Sequence, residues 1–291
     1  MSDDSTPGDG FCSLRKAITN ADFIQQQLDF SGGDCPVFPF LPDFQTNFTI
    51  NFSVSGTITL SSALPTINFQ PDHIGSSLTV DGTGQAIQLD GADQYPVLAV
   101  NPTPLAWGPI TFNELTIQNG NSAGSRGGID NNGAALTVNS STLSNNSSAD
   151  NGGGISNDSG STLSVTNSTF SGNTAMASGG GIYNGNSSAN SVTVTNSTFS
   201  GNSAATNSGG AIYNNSNVAN SVTVTNSILA GSGAGGNCAG NGVTNGGYNI
   251  ADDASCGFGS STAANSQTIG DSVTDANLAL DPVARVVATS A

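Results

Sequence analysis

Positive charge is almost missing from this chain: 4 Lys and Arg stand against 20 Asp and Glu, giving a formal net charge of −16 over 291 residues. A row of phosphates cannot be neutralised with so few cations, so nucleic acid is excluded as a partner. Anionic membrane surfaces and polyuronic acids are disfavoured for the same reason. Histidine is nearly absent too. His73 is the one copy, and it follows Gln70-Pro71-Asp72, a turn context. No Ser-His-Asp or Cys-His nucleophile arrangement can therefore be argued. Long apolar runs are lacking, so no transmembrane helix is expected. The first ten residues have neither a basic region nor an apolar run and do not read as a signal peptide. No anchoring motif is legible near the other end. An exported protein would then be represented by its mature form.

Cysteine is scarce but placed in two local pairs, Cys12 with Cys35 and Cys238 with Cys256. Four cysteines allow three connectivities. Local pairing closes the shorter loops and staples both ends, and is favoured over free buried thiols. The spacing is not the tight CxxC of zinc or redox sites. Disulfides imply an oxidising, extracytoplasmic setting.

What the chain has instead is Gly, Asn, Ser, Thr and a period. There are 38 glycines, and 35% of residues are hydrophobic. A Gly-Gly-Ile-x-Asn motif recurs at Ile129, Ile155, Ile182 and Ile212, with Ala211 replacing one Gly. In phase with it run Leu136-Thr-Val138 to Leu143, Leu163-Ser-Val165 to Phe170, Val192-Thr-Val194 to Phe199 and Val222-Thr-Val224 to Leu229. Leu115-Thr-Ile117 reads as an earlier, degenerate member of that second series. Phe48-Thr-Ile50-Asn-Phe52, Ile58-Thr-Leu60 and Leu78-Thr-Val80 read as further strands. Alternation within each run is that of a strand. Recurrence every 26–30 residues is that of a coil which cannot bury its apolar side alone. The expected fold is all-β, a single-stranded right-handed parallel β-helix. An antiparallel β-sandwich is the runner-up, but it leaves the phased glycines unexplained.

The expected organisation is a cap over residues 1–47, coils over 48–250, and a C-terminal cap or terminal strand over 251–291. Apolar residues at 14, 17, 18, 21 and 24 have helical spacing and make an amphipathic lid for the first coil. The paired glycines are expected to supply positive φ at coil corners. Asn131, Asn157, Asn184 and Asn214 should align and point inward as an amide ladder. Asp130, Ser156, Tyr183 and Tyr213 should then form an outer column. Val283 to Thr289 alternates weakly and can serve as a terminal strand open to another copy.

Several motifs add a family resemblance. Asp9-Gly-Phe-Cys-Ser-Leu-Arg-Lys-Ala17 resembles the CSLREA motif of bacterial secreted proteins, with Lys16 in place of the family's Glu. The GGGIYN and NSTFSGN repeats look like those of polymorphic outer-membrane adhesins. Asn226-Ser-Ile-Leu-Ala-Gly231, Gly236-Asn-Cys238, Gly247-Tyr-Asn-Ile250 and Cys256-Gly-Phe258 are similar to the choice-of-anchor Q family. The resemblance implies a right-handed β-helix on or outside a bacterial cell, without implying a reaction.

Candidate chemistry is thin. Asp90 with Asp93, Asp3 with Asp4, and Asp252 with Asp253 are the carboxylate pairs open to glycoside hydrolysis. The first sits in a turn and the others lie near the ends. Glu114 is the lone glutamate. Arg15, Lys16, Arg126 and Arg285 are too scattered for a lyase base. Calcium needs several oxygen ligands. The Asp-Gly and Asp-Asp sites read as solvated turns, so the metal question stays open and no cofactor is expected. Tyr183 and Tyr213, with Tyr248 and Trp107, can contact sugars, although cross-coil stacking explains the first two. The Thr193-Val-Thr195 and Thr223-Val-Thr225 array resembles an ice-binding surface but lasts two coils. The expected function is an extracellular, non-enzymatic scaffold, adhesin-like module or filament component. Its expected partners are another copy of the chain or a surface glycan. A glycoside hydrolase is the alternative, and an ice- or glycan-binding face is a lesser one.

Overall fold

The computed structural model describes residues 13–23, 47–68, 77–102, 108–124, 126–187, 189–205, 208–233, 235–259 and 273–274. Within them the chain is a parallel β-solenoid. Successive coils contribute to an eight-stranded sheet, a nine-stranded sheet, a six-stranded sheet and a short three-stranded ladder, called here the first, second, third and fourth. Pairing is parallel throughout. Strand amides therefore bond to the coil above or below, about 4.8 Å away.

The interior follows from this register. In the first sheet Val138, Val165, Val194 and Val224 stand over one another. In the second, Ile117, Leu143, Phe170, Phe199 and Leu229 do the same. In the third, Leu98, Ile129, Ile155, Ile182 and Ile212 form a column that ends on Cys238. All are buried in one continuous core. Phe170 and Phe199 stack with ring centroids 4.6 Å apart.

Two expectations change. Leu115–Gln118 is a second-sheet strand, with Ile117 opposite Leu143. The first-sheet neighbour of Leu136-Thr-Val138 is Ile110-Thr-Phe112. The two strands of that coil abut, separated by Glu114 alone at φ 52. The paired glycines also have another role. Positive φ falls on Gly152 and Gly179, the residues before the pairs. The second glycine of each pair is needed for close approach: a Cβ on Gly154 would lie 2.5 Å from the Gly181 carbonyl oxygen, and one on Gly181 2.5 Å from that of Ala211.

The Leu14–Phe23 helix covers the first coil. Ser13 caps it, its Oγ accepting from the Lys16 amide at 3.3 Å. Leu14 and Ile18 enter the core. The Arg15 guanidinium donates to the Ala63 and Ser62 carbonyls at 2.6 and 2.8 Å, which fixes the helix to the coil beneath. Cys238 and Cys256 are disulfide-bonded with Cα atoms 4.8 Å apart. The expected Cys12–Cys35 bond and the Val283–Thr289 strand lie outside the described residues.

Candidate functional site

Polar side chains inside the solenoid are arranged as ladders, because a buried amide needs partners for both its donor and its acceptor. Asn131 Nδ2 donates to Asn157 Oδ1 at 2.8 Å, Asn157 to Asn184 at 2.9 Å, and Asn184 to Asn214 at 3.1 Å. Asn214 closes the series on the Gly242 carbonyl at 2.7 Å. A second amide ladder escaped sequence reasoning. Asn146 donates to Asn173 and Asn173 to Asn202, each at 2.9 Å. Its signal was present as the last Asn of the NSTFSGN repeat. Ser141, Ser168, Ser197 and Ser227 form a third column, each of the last three accepting from the serine amide one coil before.

The outer face of the third sheet carries the best candidate for contact with another molecule. Asp130, Ser156, Tyr183 and Tyr213 are in register there. The column is less open than expected: Asp130 and Ser156 are 6% and 3% exposed. The chain preceding each strand folds back against it, and a Cβ on Gly152 would come 2.7 Å from Ser156 Cα. Arg126 also reaches over Asp130, with Nε 3.0 Å from Oδ2. Tyr183 and Tyr213 are half-buried and stack at 5.9 Å, nearly parallel. Asn215 Nδ2 donates to the Tyr183 hydroxyl at 3.1 Å.

Burial pushes the Asp130 carboxyl up to about 6; Arg126 opposes that shift and Asp158 adds to it. Asp158 belongs to the next coil, in register with Asn132. This electrostatic influence of Asp158 on Asp130 also escaped the sequence, because only stacking sets the two on neighbouring coils. Burial, with Asp158, Tyr213 and Asp150 nearby, raises the Tyr183 hydroxyl, against the lowering effect of Asn215.

The carboxylates singled out from the sequence do other work. Burial pushes Asp90 up, but hydrogen bonds from Gln118, the Ala92 amide and Asn119 outweigh it and leave it below its ordinary value. Asp93 sits in the same turn at φ 56, its amide bound to the Asn119 carbonyl. Asp252 and Asp253 accept from the loop preceding Cys238. Asp3, Asp4, His73, Trp107 and Arg285 lie outside the described residues. Tyr248 is exposed, at φ 59. Among the described residues no three His, Cys, Asp or Glu side chains converge as a metal site. No helix there is long and apolar enough to cross a membrane.

The outer face of the first sheet differs from expectation in extent. Thr49, Thr79, Thr111, Thr137, Ser164, Thr193, Thr223 and Thr244 are all in register, a hydroxyl column along the whole sheet. The double Thr-x-Thr array is short, because the flanking column runs Asp81, Asn113, Asn139 before Thr166, Thr195 and Thr225. Comparison of the chain with family models, curated proteins and solved structures finds no match.

Proposed function

We propose that this chain is a non-enzymatic β-solenoid that works outside the cell as a rigid scaffold or adhesin-like module, presenting uncharged faces to a neutral glycan or to other copies of itself. The observation that carries the proposal is where the polar groups are engaged. Asn and Ser side chains bond from coil to coil, which stiffens a rod rather than building a reactive centre. The hydroxyl column of the first sheet and the Tyr183–Tyr213 pair supply hydroxyl and aromatic surface of the kind that sugars use. The disulfide supports an oxidising compartment. The CSLREA-like segment supports a bacterial cell exterior.

A glycan array with purified protein tests this reading. Binding to neutral oligosaccharides without change in their length supports it, and depolymerisation of any glycan overturns it.

A second reading is favoured by one observation, the burial of the Asp130 carboxyl on the coil next to that of Asp158. In a glycoside hydrolase Asp130 would be the acid and Asp158 the second carboxylate. Reducing-end release from neutral polysaccharides that disappears in Asp130→Asn would establish it. No release across the panel would remove it.

A further inference from the structure

Among the described residues, two buried side-chain atoms have no hydrogen-bond partner: Ser232 Oγ and Asn237 Oδ1. Buried polar atoms are nearly always paired, and an orphan points to an unseen water or ion. Both orphans are oxygens, and both flank the same glycine-rich stretch. That stretch is held at each end by one carboxylate. Asp252 Oδ2 accepts from the Gly231 amide at 2.7 Å, and Asp252 Oδ1 from Asn237 Nδ2 at 2.6 Å. Asp253 Oδ2 accepts from the Asn237 amide at 2.9 Å, and its Oδ1 from the Ser255 amide at 2.9 Å and the Ser255 hydroxyl. Asn237 is fully buried, so its amide lies wedged against the Asp252 carboxylate with its oxygen unsatisfied.

Charge points the same way. None of residues 127–284 is Lys, Arg or His. Two adjacent carboxylates therefore stand in a region with no basic side chain of its own in sequence. We propose that Asp252 and Asp253, with Asn237 Oδ1 and Ser232 Oγ, bind one calcium ion that locks the C-terminal coils. The donor set is all oxygen and mixed in charge. Calcium accepts such sets, whereas magnesium demands near-octahedral geometry and zinc prefers nitrogen and sulfur. The ion supplies the positive charge the region lacks and a partner for the orphaned amide oxygen. It also joins the loop before Cys238 to the segment before Cys256, so metal and disulfide bind the same two stretches together.

The test uses the full chain, stripped with chelator, titrated with CaCl2 by calorimetry and with Tb3+ by luminescence, and melted with and without calcium. One saturable site per chain and a melting temperature that rises with calcium and falls back with EDTA are expected. Asp252→Asn, which keeps the shape but only one of the two acceptor oxygens, should weaken calcium at least tenfold. Ser232→Ala, a milder change, should weaken it less, while Asp158→Asn on the third sheet should leave it unchanged. No heat, no Tb3+ emission and identical melts would mean that a buried water fills the place, and the proposal fails. Wild-type affinity in both Asp252→Asn and Ser232→Ala would also overturn it.

Discussion

Asn157 donates its side-chain amide to Asn184 one coil away, at 2.9 Å, while its own Oδ1 accepts from Asn131 at 2.8 Å. Each member thus holds its neighbours on both sides. Replacing Asn184 with Leu takes from Asn157 Nδ2 its closest acceptor, while Asn214 Oδ1 keeps the Ser216 amide and the Ser221 hydroxyl. Each buried orphan costs about 1–3 kcal/mol. Urea titration should show Asn184→Leu destabilised by about 1–3 kcal/mol. A loss near zero would mean that water enters the ladder.

Phe199 packs face to face on Phe170 and is fully buried. Phe199→Ala should cost about 3–5 kcal/mol, whereas Phe199→Leu, the residue of the coils at Leu143 and Leu229, should cost less than half of that. Equal losses would show that packing volume is not what this column selects.

Gly181→Ala places a methyl group 2.5 Å from a backbone carbonyl oxygen, and nothing flexible can yield there. The variant should be destabilised by more than about 1 kcal/mol, beyond any glycine entropy gain. Its reverse, Ala211→Gly, should be nearly neutral, because the next coil has Asn237 at that position and already accommodates a side chain. Thermal melts of the two variants decide the point.

Asp130 sets a pH dependence whose sign is opposite to that of an ordinary salt-bridged carboxylate. Its folded value is raised from 3.8 to about 6, so the native state holds a proton that the unfolded chain has released. Stability is then greatest below pH 4 with respect to this group and falls as pH rises from about 4 to 6. The loss is at most about 3 kcal/mol, and less where solvent screens the half-exposed Arg126. Asp130→Asn should flatten this window. Asp81, lowered by its Thr83 hydrogen bond first and by Asn113, and Asp90 act the other way, losing stability as pH falls below their ordinary range. Melting temperatures of wild type and Asp130→Asn between pH 3 and 7 separate the two contributions. A parallel slope in both proteins would refute the assignment.

The coil period was readable because the columns at Ile155 and Val165 repeat one residue type at fixed offsets. The strand at Leu115 was misplaced because its Leu-Thr-Ile sequence copies the first-sheet pattern. Only the one-residue Glu114 corner, invisible without coordinates, assigns it to the second sheet. Asn146, Asn173 and Asn202 were equally periodic, but nothing in the repeat says which of its asparagines turns inward. The influence of Asp158 on Asp130 could not be seen, since the two residues are 28 apart and lie on neighbouring coils only through register. The orphaned Asn237 oxygen is likewise a property of packing: its sequence context, Gly-Asn-Cys, is unremarked for metal binding.

Glu114, Ser140, Asn167, Asn196 and Asn226 all take φ between 48 and 53 at the same corner. The bend between first and second sheets is therefore one reusable joint, and the variable lengths of the coils are absorbed elsewhere on the circumference. A gene encoding such a chain can gain or lose an entire circuit between two of these joints without redesigning either neighbour. Length of the rod becomes a quantity that duplication alone adjusts, in steps of one strand spacing.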